Sequence, residues 1–167
     1  MKILSPAMGK VILNLSCYVL CAAGYAEESM QRAKMFLVRG RVEPAYLGLK
    51  SGLISGGAGG SVLPQVLISL LVGEEAAWPL PDGLLVAGGA ACGQQLLADP
   101  RVHALIQQMI VVAKPVGFLH PVFYPLVELL RQKVVDDPFL LQEKPAGAEF
   151  FSIFGRRLYR SGTTAAP

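Results

Sequence analysis

The sequence is short of the residue types that usually carry chemistry. Its 167 residues include two histidines, three cysteines and one tryptophan, and only 16 % are charged. The cysteines are Cys17, Cys21 and Cys92. An odd count without repeated spacing excludes a disulfide framework. The 17–21 pair lacks the redox CxxC spacing, and no second ligand pair offers a zinc site, so no metal and no cofactor are expected. Unpaired cysteines point to a reduced, cytoplasmic setting. The formal charge of +3 is small. Its lysines and arginines are scattered, with no stripe that could track phosphates, so nucleic acid is not an expected partner. No apolar run is long enough to span a bilayer, so no membrane partner is expected either. Internal repeats and low-complexity tracts are also missing.

Apolar side chains are abundant: hydrophobic residues make up 53 % of the chain. Residues 1–167 suit a single domain with a sizeable core. The apolar content points to a sheet covered on both faces, or to a large partner surface.

The pattern along the chain alternates. Residues 11–15 read as a short buried strand. Residues 22–34 read as a helix, with Ala26, Met30 and Ala33 on one face, and 35–38 as a second strand bounded by Arg39-Gly40. Together they suggest a βαβ unit. Residues 40–64 are rich in glycine, including Gly56-Gly57 and Gly59-Gly60, with 46–49 and 51–54 as candidate short strands or hairpins. The glycine run matches neither GxGxxG nor a P-loop and reads as a flexible turn. A short helix is expected within 61–71, then a loop at 73–82 with Trp78. Leu84-Leu85-Val86 reads as a strand ending at Gly88-Gly89, whose backbone N–H groups can point into a cleft.

Asp99 and Pro100 suit the cap and first position of a helix. Val102, Leu105, Ile106, Met109, Ile110 and Ala113 then recur with helical spacing. A strand at 116–119 follows, ending at His120, and 122–131 is again helical. The last third shows short apolar runs at 134–135, 139–141, 150–154 and 158–159 between turns. This order predicts an α/β doubly wound fold, mainly parallel, with helices on both faces and sites at the C-terminal strand ends.

The start of the chain has a rival reading. Lys2 and Lys10 precede an apolar run at 11–24 that closes on Ala22-Ala23-Gly24, the outline of a secretory signal. That reading makes an exported protein with residues 1–24 removed. Pro6, Gly9, Asn14 and Ser16 interrupt the outline, and a first strand is the favoured reading.

Three stretches carry a resemblance: Asp82-Gly-Leu-Leu-Val-Ala-Gly-Gly89, Leu97-Ala-Asp-Pro-Arg-Val-His-Ala-Leu-Ile106 and Lys114-Pro-Val-Gly-Phe-Leu-His120. Over 82–120 the sequence resembles the ThiJ/PfpI family of the class I glutamine-amidotransferase-like superfamily. More loosely, 8–16 resembles that family's first strand, and 155–162 its late strand and turn, which would end the chain before the family's closing helix. The resemblance implies a flavodoxin-like sheet and a homodimer. It also implies a site of three parts: a cysteine on a strained strand-to-helix elbow, a histidine after it, and a glutamate from just after the first strand. A thiolate is the nucleophile in such a site and needs an activating neighbour.

Here Leu119 stands at the nucleophile position, His120 at the histidine, and Pro121, with no N–H, where the family has glycine. The glutamate position falls on or near Leu20. The resemblance therefore implies a domain with a degenerate cysteine site that binds a small molecule or a partner. Gly88 and Gly89 would form an oxyanion or binding loop. The alternative is an active hydrolase, or a glyoxalase/deglycase-like lyase acting on carbonyl or amide compounds. It would use His120 with a relocated Cys92 or Cys17, which stand at expected strand ends.

Overall fold

The computed structural model describes residues 15–74, 76–133, 140–142 and 148–164. The described residues begin with β1 (Ser16–Leu20), α1 (Glu27–Arg39) and β2 (Glu43–Gly48), followed by the short strands β3 (Ile54–Ser55), β4 (Ser61–Val62) and β5 (Val66–Leu67). They continue through β6 (Gly83–Val86), α2 (Ala90–Ala98), α3 (Pro100–Val111) and β7 (Val116–Phe118). Then come α4 (Tyr124–Lys133), β8 (Leu140–Gln142) and α5 (Ala148–Thr164). Six strands form one sheet in the order β5-β2-β1-β6-β7-β8, and every pair is parallel. Without the edge strand β5, that is the flavodoxin order. β3 and β4 form a separate antiparallel hairpin.

β6 is buried at every position, which is what a central parallel strand covered on both faces requires. From β1 the chain steps to β2 on one side, whereas from β6 it steps to β7 on the other. Right-handed crossovers therefore put α1 on one face and α2, α3 and α4 on the opposite face. α5 shares the face of α1: Phe36 stacks on Phe151 at 5.1 Å and meets Phe154 edge-on at 6.3 Å. It lies close against the sheet, where a Cβ on Gly117 would come within 2.7 Å of the Phe150 ring.

The sequence reading is displaced in three places. The first strand among the described residues is Ser16–Leu20; of the expected 11–15, Leu15 lies just before it and 11–14 lie outside the described residues. β1 is flanked by β2 and β6, so removing residues 1–24 would remove the strand at the centre of the sheet. The helix runs to Arg39 and absorbs the strand expected at 35–38. Those four apolar residues split between two environments: Leu37 is buried, whereas Met35 and Val38 are exposed. The helix ends where Gly40 N–H donates to the Phe36 carbonyl and Arg41 takes a φ of +58°. The second strand is then Glu43–Gly48, which covers the 46–49 candidate up to Gly48.

The third displacement is the tail. Residues 150–154, 158–159 and the supposed strand and turn at 155–162 are all part of α5. Phe150, Phe151, Phe154 and Leu158 are buried at helical spacing. The helix expected within 61–71 is instead β4, β5 and a short 3-10 turn at Ile68–Leu70. The runs at 134–135 and the start of 139–141 lie outside the described residues.

At the N-terminal end of the sheet a polar cluster fastens three segments. One oxygen of Asp82 accepts from the Ser16 N–H at 2.9 Å and the Ser16 hydroxyl at 3.2 Å. The other lies 3.2 Å from the Lys114 ammonium. The loops after β1, β6 and β7 lie at the opposite, C-terminal ends of the strands. Among the described residues no helix is long and apolar enough to cross a membrane.

Candidate functional site

The loops after β1, β6 and β7 meet as expected, and glycine makes the meeting possible. Gly89 has a φ of +116°, and a Cβ there would sit 2.5 Å from the Gly24 carbonyl. The Ala26 N–H donates to the Gly88 carbonyl at 2.7 Å, joining the loop after β1 to the loop after β6. The Gly24 N–H donates to the Ser55 carbonyl at 2.7 Å and the Gly57 N–H to the Tyr25 carbonyl at 2.9 Å, adding the hairpin. The Gly88-Gly89 pair is therefore at the sheet's switch point between β1 and β6, the place where open α/β sheets hold ligands.

His120 sits beside this pair. Its Nδ1 accepts from the Val122 N–H at 3.0 Å, so it caps the 3-10 turn Pro121–Phe123. Pro121 fits there because the first position of such a turn needs no N–H. The backbone of His120 is extended, with φ −151° and ψ 142°. Leu119, at the expected nucleophile position, is 3 % exposed. Among the described residues the non-glycine positions with positive φ are Arg41 and Ala113, so neither Leu119 nor His120 carries the backbone strain of an elbow. The Leu119, Val122 and Phe123 N–H groups donate within the fold. Pro121 has none, so this segment offers little to an oxyanion.

The expected carboxylate is elsewhere. Leu20 is the last residue of β1 and is fully buried. Glu27 opens α1, but its carboxylate turns to the glycine-rich hairpin loop. It accepts from the Ala58 N–H at 2.8 Å and the Gly60 N–H at 2.8 Å. The Gly60 and then the Ala58 N–H hold this carboxyl below its ordinary pKa. The loop read as a flexible turn is thus pinned by an internal anion.

The three thiols are all free and buried. Cys17 is not at a C-terminal strand end. It is the second residue of β1, in register with Gly83 and Pro44 near the start of the sheet, far along the strand from His120. Burial pushes its pKa up, and the nearby Asp82 carboxylate adds to the effect. Cys92 lies in the first turn of α2, where its sulfur accepts from the Ala22 N–H at 3.4 Å and faces the Ala87 carbonyl at 3.7 Å. Burial pushes it up to about 11 despite the Ala22 N–H. Cys21 is pushed up to about 12, by burial and then by its neighbour Cys92. A thiol nucleophile needs the opposite shift. The other histidine, His103, bonds the Leu97 carbonyl through Nε2 at 2.7 Å and braces the α2–α3 corner. Among the described residues no group of three or more His, Cys, Asp or Glu could hold a metal ion.

A large cavity opens beside the loop after β1, the loop that bonds the glycine pair. It holds about 690 Å³ and is lined by 21–23 after β1, 49–54 after β2, and Gln95 with 98–101 where α2 meets α3. Gly88, Gly89 and His120 are not in its wall, whereas Cys21 is. The sequence reading missed the 49–54 wall because it ended the second strand at 38, and sites in such sheets sit where strands end. The Asp99-Pro100 cap was the available signal for the opposite wall: Asp99 accepts from the Arg101 N–H at 2.9 Å, as the spacing predicts.

No protein-family model matches the sequence, and no curated protein matches it. Solved structures do match. A mutant DJ-1 superfamily protein from Salmonella typhimurium is 16 % identical, with 91 % of this chain and 96 % of that one covered at a TM-score of 0.72. A ThiJ/PfpI domain protein from Brachyspira murdochii is 14 % identical, with 88 % and 97 % covered at 0.67. Oxidized DJ-1 from Toxoplasma gondii is 12 % identical, with 90 % and 97 % covered at 0.64. The sheet order, the glycine pair after β6 and these neighbours agree: the chain has the fold of the DJ-1/ThiJ/PfpI proteins.

Proposed function

We propose that this chain is a DJ-1/ThiJ/PfpI-like domain without the thiol catalysis its resemblance implies, and that it binds a small molecule at the C-terminal end of its sheet. The observation that carries this reading is Leu119: an apolar, buried side chain on unstrained backbone at the expected nucleophile position. Three buried thiols with raised pKa values support it. So does His120, whose Nδ1 is committed to its own turn. The cavity of about 690 Å³ beside the switch point is of ligand size. Free cysteines suit the reducing, cytoplasmic setting expected of the sequence. Self-association as a homodimer belongs to the same reading, supported by exposed Met35, Val38 and Tyr159 on the α1–α5 side, and sedimentation measures it.

The test is iodoacetamide labelling of the folded protein against pH, read by peptide mass spectrometry, alongside turnover of a 2-oxoaldehyde. Slow labelling at all three sites until unfolding, with no turnover, is the expected result. The competing reading is a hydrolase or glyoxalase/deglycase-like lyase using His120 with Cys92 or Cys17. Its one specific support is the position of Cys92 in the first turn of α2, where a helix N-terminus favours thiolate. Rapid labelling of Cys92, with a midpoint well below the ordinary thiol value, would replace the proposal with that enzyme.

A further inference from the structure

We infer that the ligand of the large cavity is a monoanion with an apolar body, a carboxylate of medium chain length, held by Lys50. The inference rests on the small-molecule reading above and adds the ligand's charge and shape. The walls are mostly apolar, from Ala22, Leu49, Leu53, Ile54, Ala98 and Pro100. Two cations and one carboxylate border them: Lys50, Arg101 and Asp99. Arg101 is already engaged by Asp99, through Nε at 3.0 Å and a terminal nitrogen at 2.7 Å. Lys50 makes no hydrogen bond or ion pair among the described residues. One uncompensated positive charge at an apolar cavity calls for one negative charge on an apolar molecule.

The same residues argue against a phosphate. Two features near the cavity could cradle one, and each already holds a carboxylate of the chain. The hairpin loop amides of Ala58 and Gly60 hold Glu27. The first turn of α3 holds Asp99. What is left is a single ammonium, which takes a carboxylate as a point charge. Ser51 and Gln95 also line the cavity and offer polar side chains beside it.

Isothermal titration of the full chain with octanoate and with octanol tests this. Wild type is expected to prefer octanoate by about tenfold, the scale of one charge-assisted contact. Lys50→Met keeps the stem and drops the charge; it should abolish that preference while octanol binding stays the same. Lys50→Arg should restore the preference. Ala98 is exposed, so Ala98→Trp can fill the cavity without entering the core, and it should weaken both probes. Equal binding of octanoate and octanol to wild type, or an undiminished preference in Lys50→Met, would overturn the inference and leave the small-molecule reading standing. If Ala98→Trp leaves octanoate binding intact, the ligand lies elsewhere and the assignment to this cavity fails. Binding of neither probe to wild type would remove the inference and the cavity's role together.

Discussion

Gly88 and His120 fit against each other so closely that a Cβ built on Gly88 would lie 2.1 Å from the Cβ of His120. This contact joins the loop after β6 to the turn after β7. It does so by shape, where a catalytic pair would do so by a hydrogen bond. Gly88→Ala is therefore expected to destabilise the fold by about 1–3 kcal/mol, the scale of an overpacked core. His120→Gly in the same chain should recover much of that loss, because it removes the opposing Cβ. Urea unfolding of the two single variants and the double variant measures the coupling. A Gly88→Ala protein as stable as wild type would show that the two loops separate easily.

The role given to His120 can be tested independently of any substrate. As a cap, its ring nitrogen accepts the Val122 N–H. His120→Asn keeps an acceptor at the cap position and should cost little. His120→Phe removes it and should cost about 1 kcal/mol, a typical capping contribution. Equal stability for both would mean the histidine is kept for something other than its turn.

Alkaline pH should expose the buried thiols. The pKa of Cys92 rises from an ordinary 9.0 to about 11 in the fold. Between those values the folded state holds a proton that the unfolded chain releases. Stability from this group is complete below about pH 9 and is lost as pH rises through about 11. Chemical unfolding across that window should show a decline that Cys92→Ala makes shallower. An unchanged decline would place the alkaline sensitivity on other groups.

Glu27 works at the other end of the scale. Its carboxyl is held below the ordinary value by the Gly60 and Ala58 N–H groups. Its contribution is present above the ordinary carboxylate range and lost as pH falls through the lowered folded value. Glu27→Gln should remove that acid dependence. At neutral pH it should also speed amide exchange at Ala58 and Gly60, read by NMR. Unchanged exchange at those two amides would mean the loop holds its shape without the carboxylate.

The parts of this fold that could be read from sequence are those set by local chemistry. Asp99 and Pro100 announce α3 because a cap and a fixed φ need no tertiary partner. Leu84-Leu85-Val86 followed by two glycines announces β6 because continuous burial and a tight loop both show in composition. The misplaced elements depend on distant partners. Phe36 looks like part of a strand until the ring of Phe151 is beside it. Phe150, Phe151, Phe154 and Leu158 read as scattered runs until a sheet lies beneath them. Ser16 looks like a break in a strand because its hydroxyl is satisfied only by Asp82. Gly88 and His120 lie side by side, as strand ends read from composition place them. The cavity wall at 49–54 was not legible, because it follows from where β2 ends.

The central position of β1 has a consequence for how this protein is made. Its neighbour β6 lies 66 residues later in the chain, with Leu20 opposite Val86. At a synthesis rate of about 5–20 residues per second, that interval is roughly 3–13 seconds. For that time Cys17, Val19 and Leu20 have left the ribosome with one edge of their strand unpaired. A strand that ends fully enclosed thus waits in the open for its second neighbour, an apolar edge that chaperones can meet on the nascent chain.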